Sequence, residues 1–191
     1  IVTALVVLFA DFVLKDRRVL PVIVLAGLAV TLALTITLWV DLDTGAAAMT
    51  GIFGTLVVDK FSLFFKFLLA GIMTVVVLMS TGYIRRFDSL RAEYFALILF
   101  SLTGMMLLAS TLELVTIYIA LELTALPLVA LIALAGSSRS SEAGMKFLIL
   151  SAVSSALLLY GMVWIYGLTG STDLVEIARA IFGSTEATEP M

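Results

Sequence analysis

One carboxylate, that of Glu122, lies near the middle of an apolar stretch that runs from residue 112 to residue 135. The stretch is long enough to cross a bilayer, because a spanning helix needs about 20 residues. A charged side chain at membrane depth costs at least ~2.5–3.5 kcal/mol, so such residues usually have a function. Glu122 is too far from either end to reach the surface. It must therefore be protonated, paired with a cation or in contact with water.

Two interpretations of Glu122 follow from its position. Burial favours the neutral form of a carboxyl group and a nearby cation favours the charged form. A carboxyl group held between these two influences changes its protonation when its partner moves, as a proton pathway requires. The functional interpretation is therefore a proton relay. The structural alternative is a neutral carboxyl group that hydrogen-bonds to a neighbouring helix.

Pro127 follows Glu122 within the same stretch. A proline has no backbone N–H, so the carbonyl of Leu123 loses its helical partner. Inside a membrane this carbonyl needs water or a neighbouring side chain. We therefore expect polar groups to gather beside Glu122.

Lys146 is the second candidate for proton chemistry. It follows Glu142 by one turn at the start of the next apolar segment, where Ser140 or Ser141 suits the N-cap position. The plain interpretation is an ordinary i,i+4 ion pair at the membrane surface. The alternative is that Lys146 turns inward and passes protons toward Glu122. Their separation along the membrane then requires water or a further residue between them.

Two serines, Ser151 and Ser155, lie one turn apart in the same segment. Small residues at this spacing allow two membrane helices to approach closely, and this packing role is the primary prediction. Hydroxyl groups that line a file of water are the alternative.

The composition is that of an integral membrane protein. Of 191 residues, 62% are hydrophobic and 13% are charged, with a mean hydropathy of +1.22. A soluble domain has roughly 45–50% apolar and about 25% charged residues. The chain has no cysteine and no histidine, which excludes disulfides and a cysteine-ligated iron–sulfur cluster and leaves few ligands for zinc or haem. We predict no metal site, no bound cofactor and, without a basic patch, no nucleic-acid partner.

The apolar segments predict one all-α domain, a polytopic bundle of transmembrane helices over residues 1–191. Continuously apolar runs exclude a β-barrel, whose strands alternate. The first segment is too short to span a bilayer, so we expect the chain to be part of a longer protein. Glycines and β-branched residues predict a short extramembrane hairpin at 51–59. The predicted helices cover about 1–14, 19–40, 61–80, 93–109, 112–135 and 143–168.

Charges in the connections alternate along the chain. The first, third and fifth connections hold most of the basic residues, whereas the second connection and the tail are acidic. Because basic loops stay in the cytoplasm, the pattern places the N-terminus outside. The basic residues of these three connections are Lys15, Arg17, Arg18, Arg85, Arg86, Arg91 and Arg139.

Four further charged residues near helix ends have structural interpretations, namely Asp11, Asp59, Lys60 and Lys66. Asp11 is four residues before Lys15, so the two are expected to pair along the first helix. Asp59 suits the N-cap of the third helix. Lys66 is about two turns into that helix and can extend its amine toward the surface.

Several stretches resemble a known family, subunit N of the bacterial NADH-quinone oxidoreductase, respiratory complex I. The likeness covers about Val57–Leu174 and is only general before it. It rests on LELTALPLVALIAL (Leu121–Leu134) and on SSEAGMKFLILSAVSSALLLYGMVWIYGLTGSTDL (Ser140–Leu174). VVDKFSLFFK (Val57–Lys66) and the STGYIRR that starts at Ser80 are similar to the same family.

The resemblance implies an antiporter-like, proton-translocating subunit of the membrane arm that has no redox activity of its own. Glu122 matches the family's membrane glutamate, and Lys146 matches a lysine implicated near it. The family pairs this glutamate with a lysine on a later, broken helix. Residues 1–191 are expected to cover about the first six helices and to end before that helix, so they could not pump alone. NADH, FMN, the iron–sulfur clusters and quinone are expected in other subunits. The expected partners are the other membrane-arm subunits and the lipid of the bacterial inner membrane.

Two other classes of protein fit the same residues. A subunit of a multisubunit cation/proton antiporter or of a membrane-bound hydrogenase would carry related helices, although those families often have a tryptophan before the glutamate, where this chain has Ala120-Leu121. A structural membrane scaffold would keep Glu122 neutral and locked. Activity after Glu122→Gln separates the last class from the others.

Overall fold

The computed structural model describes residues 1–13, 19–43, 49–50, 55–84 and 90–186. The predicted all-α membrane bundle is confirmed, since helices dominate and five of them, α2 to α6, are long and apolar enough to cross a membrane. The helices are α1 (Val2–Val13), α2 (Leu20–Asp43), α3 (Lys60–Tyr83), α4 (Arg91–Leu108), α5 (Leu114–Ala133), α6 (Ser138–Thr169) and α7 (Leu174–Glu186). Two short strands, β1 (Met49–Thr50) and β2 (Val57–Val58), lie between α2 and α3.

The short strands form an antiparallel pair in which Met49 is opposite Val58 and Thr50 is opposite Val57. The hairpin predicted at 51–59 overlaps this pair only through β2, and residues 51–54 lie outside the described part. Helix α7 was not predicted, although Leu174, Ile177 and Ile181 recur at helical spacing.

The core of the bundle is built around α4, which packs against α1, α2, α3 and α5. Phe95 of α4 is fully buried, together with Val24 of α2 and Val77 of α3. By contrast, α6 contacts α5 and α7 and exposes most of its apolar side chains. The relative placement of α4, α5 and α6 therefore decides what surrounds Glu122.

Local sequence sets where two of the helices begin. Asp59 caps α3 as predicted: its Oδ1 accepts from the Ser62 N–H at 2.7 Å, and the Ser62 hydroxyl accepts from the Asp59 N–H at 3.1 Å. The cap predicted for α6 was wrong. Ser137 caps this helix by accepting from the Ser140 N–H at 3.2 Å, because Gly136 takes a positive φ of 64° and turns the chain just before it.

Backbone hydrogen bonds fasten three connections together at the end of the bundle where α3 and α5 begin. The Val57 N–H donates to the Ser110 carbonyl at 2.7 Å, which joins the second connection to the fourth. The Leu174 N–H donates to the Leu112 carbonyl, and the Leu114 N–H to the Thr172 carbonyl, both at 2.9 Å. We call residues 55–58, 110–114 and 172–174, joined in this way, the clasp.

Most of the basic residues that alternate along the chain lie outside the described part. This applies to Lys15 and the rest of 14–18, and therefore to the predicted Asp11–Lys15 pair, as well as to residues 85–89. Among the described residues, Arg91 begins α4 and Arg139 lies in the first turn of α6. These first turns of α4 and α6 lie at the end of the bundle opposite the clasp.

Candidate functional site

The contact between α4 and α5 is very close at Gly104. A Cβ atom there would lie 2.5 Å from Oγ1 of Thr124, 2.7 Å from the Thr124 backbone nitrogen and 2.8 Å from the Ala120 carbonyl oxygen. No real Cβ makes contacts this short, so only glycine allows the two helices to approach in this way. One face of α5, defined by Ala120 and Thr124, is thereby pressed onto α4.

A hydroxyl group from α4 supports α5 beside its proline. Ser101, which is only 2% exposed, donates its hydroxyl to the Thr124 carbonyl at 3.2 Å, three residues before the buried Pro127. This polar contact reaches the Thr124 carbonyl on the face of α5 that contacts α4, so the expected gathering of polar groups beside Glu122 stays a prediction. Because Glu122 is about 200° around the helix from Ala120, it lies on the opposite face.

The face of α5 that carries Glu122 is turned toward α6. Ala133, three full turns beyond Glu122, meets α6 at Gly144, where an added Cβ would lie 3.0 Å from the Ala133 Cβ. Tyr118, one turn before Glu122, lines a cavity of about 250 Å³ together with Leu159 of α6. Glu122 lies between these two contacts, so it belongs to the α5–α6 interface.

The surroundings of the Glu122 carboxyl group are unusual for a membrane helix. The residue is half-buried, and within the described ranges its side chain has neither a hydrogen bond nor an ion pair. Toward the clasp, the α5–α6 interface holds an apolar cluster that contains Leu114, Met162 and Ile177, and the same cavity of about 250 Å³ lies between Tyr118 and this cluster.

Lys146 lies elsewhere. Its amine contacts Oε1 of Glu142 one turn earlier, and the two side chains are 71% and 63% exposed. It is two residues after Gly144, which places it about 200° around α6 from the α5 interface. Because Gly144 meets Ala133 in this antiparallel pair, Lys146 is level with Leu131 of α5. Leu131 is nine residues from Glu122, so Lys146 and Glu122 are separated by about 14 Å along the helix axis. The structure therefore brings Lys146 to Glu142 and not to Glu122.

Sequence reasoning missed the residues of α4 that position α5. Gly104 is one of 13 glycines and Ser101 carries no charge, so neither is distinguished without knowing which helix α4 faces. Of the described residues, no three His, Cys, Asp or Glu side chains come close enough to hold a metal ion. The groups available for chemistry at the site are thus the Glu122 carboxyl group and nearby hydroxyl groups.

Comparison with known proteins identifies related membrane subunits. The family model described as "NADH:quinone oxidoreductase/Mrp antiporter, TM" matches residues 111–190, which include Glu122 and Lys146. NADH-quinone oxidoreductase subunit N of Dehalococcoides mccartyi is 35% identical over 182 residues, which cover 95% of this chain and 36% of that protein. The subunit N of Desulfovibrio desulfuricans is 36% identical over 183 residues, 95% of this chain and 35% of that protein.

Two solved structures resemble the fold. A chain of respiratory complex I from Thermus thermophilus with bound aureothin superposes with a TM-score of 0.73 at 34% identity, covering 91% of this chain and 36% of that one. A chain of the membrane-bound sulfane sulfur reductase, an archaeal respiratory membrane complex, gives 0.80 at 19% identity, covering 93% and 37%, and supports the fold alone. The chain spans about a third of the length of the curated relatives it matches. Over nearly all of its own length, this multi-pass membrane chain is a homologue of NADH-quinone oxidoreductase subunit N.

Proposed function

We propose that this chain is part of a proton-translocating membrane-arm subunit of an NADH-quinone oxidoreductase, which couples quinone reduction to proton transport through Glu122. The observation that carries the proposal is the position of Glu122. It lies at mid-depth of α5 without a partner among the described residues, within the segment that matches the antiporter family. The 35% sequence identity to a subunit N, over 95% of this chain, supports the same conclusion.

Proton transfer in this proposal uses the two protonation states of one carboxyl group. Glu122 accepts a proton from water or a hydroxyl group on one side and releases it when its surroundings favour the anion. Such a step needs no redox group, since only the polarity and charge around the carboxyl group change. Lys146, near the start of α6, is a second proton carrier. Water or further residues bridge the distance of about 14 Å along the helix axis between Lys146 and Glu122.

The remaining parts of the proposal rest on the resemblance to the family and on the charge pattern of the connections. NADH, FMN, the iron–sulfur clusters and quinone are bound by other subunits, and this subunit belongs to a translocase without having catalytic activity of its own. Its partners are the other membrane-arm subunits. It resides in the bacterial inner membrane with its N-terminus outside, which the basic connections support.

The decisive experiment replaces Glu122 by Gln in the full-length protein within its complex. We expect quinone-coupled proton pumping to fall strongly, because glutamine has similar size but cannot release a proton. Glu176→Gln is the matched control, since it removes an exposed carboxylate of the same type on α7, outside the proposed pathway. Wild-type pumping and coupled quinone reduction in the Glu122→Gln complex would refute the relay.

A second candidate, a subunit of a multisubunit cation/proton antiporter, is favoured by one observation, since the matching family model covers Mrp antiporters as well as NADH:quinone oxidoreductases. The two candidates differ in the proteins that accompany the chain. Affinity purification of the full-length protein from native membranes should recover the other membrane-arm subunits of the oxidoreductase. Recovery of antiporter subunits in their place would favour the second candidate.

A further inference from the structure

Contacts on both sides of Glu122 fix the register between α5 and α6. Gly144 meets Ala133, and the two helices run antiparallel. Eleven residues after Gly144 is Ser155, and eleven residues before Ala133 is Glu122. The cavity that Tyr118 and Leu159 line together gives the same register. Ser155 precedes Leu159 by four residues, and Glu122 follows Tyr118 by four. Ser155 and Glu122 therefore lie at the same level.

Their helix faces also agree. Eleven residues are close to three full turns, so Ser155 lies on the same side of α6 as Gly144, toward α5. Burial supports this independently: between residues 145 and 161, all side chains are exposed except those of Ser151 and Ser155. These two serines are covered by α5, and Ser151 lies one turn from Ser155 in the direction of Lys146.

The hydroxyl groups of the two serines are available for bonding. Hydroxyl groups in other helices of the bundle are occupied; for example, Thr31, Thr74 and Thr103 each donate to the carbonyl four residues before them. No such bond is made by Ser151 or Ser155 within the described part of the chain. A hydroxyl group and a carboxyl group at the same level of one helix interface, each without a partner among the described residues, have a strong free-energy reason to bind one another.

We propose that Ser155 is the hydrogen-bond partner of the Glu122 carboxyl group. Ser155 is a positioning residue that holds this carboxyl group toward α6. Ser151 extends the polar side of the interface toward the end of α6 that carries Lys146. This deepens the proposed function and rests on Glu122 as its proton carrier. In this proposal protons reach Glu122 from the Lys146 end, because the two serine hydroxyl groups lie on that side and the clasp side holds an apolar cluster. Ser155 donates to the carboxyl group and neither gains nor loses a proton overall.

Infrared difference spectroscopy on the full-length protein in its complex tests the pairing. The C=O band of protonated Glu122 is the band that Glu122→Gln removes. In Ser155→Ala this band should shift to higher wavenumber, because the carbonyl loses its donor. Ser155→Thr keeps the hydroxyl group and should leave the band in place. Ser154→Ala is the matched control, since Ser154 is the neighbouring serine on an exposed part of α6.

The possible outcomes separate the pairing from the relay. An unshifted band in Ser155→Ala, or an equal shift in Ser154→Ala, overturns the pairing. If Ser155→Ala does not accumulate, Ser155→Cys replaces it, and its weaker donor should still shift the band upward. Normal pumping in Glu122→Gln, together with a shifted band in Ser155→Ala, would remove the relay and leave the pairing standing. We expect pumping in Ser155→Ala to fall by about tenfold, the equivalent of one hydrogen bond to a charged group.

Discussion

Replacing Gly104 by alanine should separate α4 from α5, because the new methyl group has no space. It would contact the backbone of α5 at two atoms, 2.7 and 2.8 Å away, and the Thr124 hydroxyl group at 2.5 Å. That hydroxyl group is itself held by a bond to the Ala120 carbonyl at 2.9 Å, so it cannot simply rotate away. The helices must therefore move apart, which also lengthens the Ser101–Thr124 hydrogen bond.

The size of the effect follows from two opposing terms. Alanine in place of glycine favours a helix by about 1 kcal/mol. Overpacking typically costs about 1–3 kcal/mol, and the rigid backbone contacts place Gly104→Ala at the upper end. We therefore expect a net loss of about 2 kcal/mol in the free energy of unfolding. At Gly161, where nothing lies within 4 Å of an added Cβ, only the favourable term remains.

Denaturation of the full-length protein by sodium dodecyl sulfate, followed by circular dichroism, measures this difference. Gly104→Ala should be the least stable variant and Gly161→Ala the most stable. Gly144→Ala should fall between them, because its Cβ would meet the Ala133 methyl group at 3.0 Å and no backbone atom closer than 3.5 Å. Equal stability of the Gly104 and Gly161 variants would refute the close α4–α5 contact.

Two further predictions concern the ends of α3 and α6. Asp59→Ala removes the carboxylate that accepts from the Ser62 N–H at the α3 cap and should lower the free energy of unfolding by about 1 kcal/mol, whereas Asp59→Asn, which keeps the acceptor, should lose much less in the same denaturation assay. Equal losses would contradict the capping role. Lys146→Gln breaks an exposed pair worth about 0.3–0.5 kcal/mol, so the melting temperature should stay unchanged while pumping by the complete complex decreases. Unchanged pumping would remove Lys146 from the pathway and leave Glu122 untouched.

The sequence could predict the membrane helices because the apolar residues that form them are contiguous. It could predict the α3 cap for a similar reason, since Asp59 and the residues it bonds are neighbours in the chain. The Glu142–Lys146 pair is equally local, and the plain interpretation of it agrees with the structure. Each of these features depends on spacing along a single helix.

Features that depend on two helices were beyond reach. The sequence predicts polar groups beside Glu122, whereas the hydroxyl group that contacts α5 near Pro127 belongs to Ser101 of α4 and lies away from Glu122. The fit of Gly104 against α5 depends on the register of two helices, which hydropathy does not encode. Ser155 was noted for its size, and only the contacts at Ala133 and Tyr118 reveal that it is level with the carboxyl group.

The clasp makes the two ends of the bundle mechanically unequal. Because α5 and the connection after α6 are tied by backbone bonds near Leu112 and Leu174, a tilt of α6 against α5 pivots there. Displacement then grows along the roughly 30 Å of α5 and is greatest near Ser138. At mid-length, near Glu122, a small rotation changes the gap between the two helices by a fraction of that amount, which allows a fine adjustment of the space around this carboxyl group.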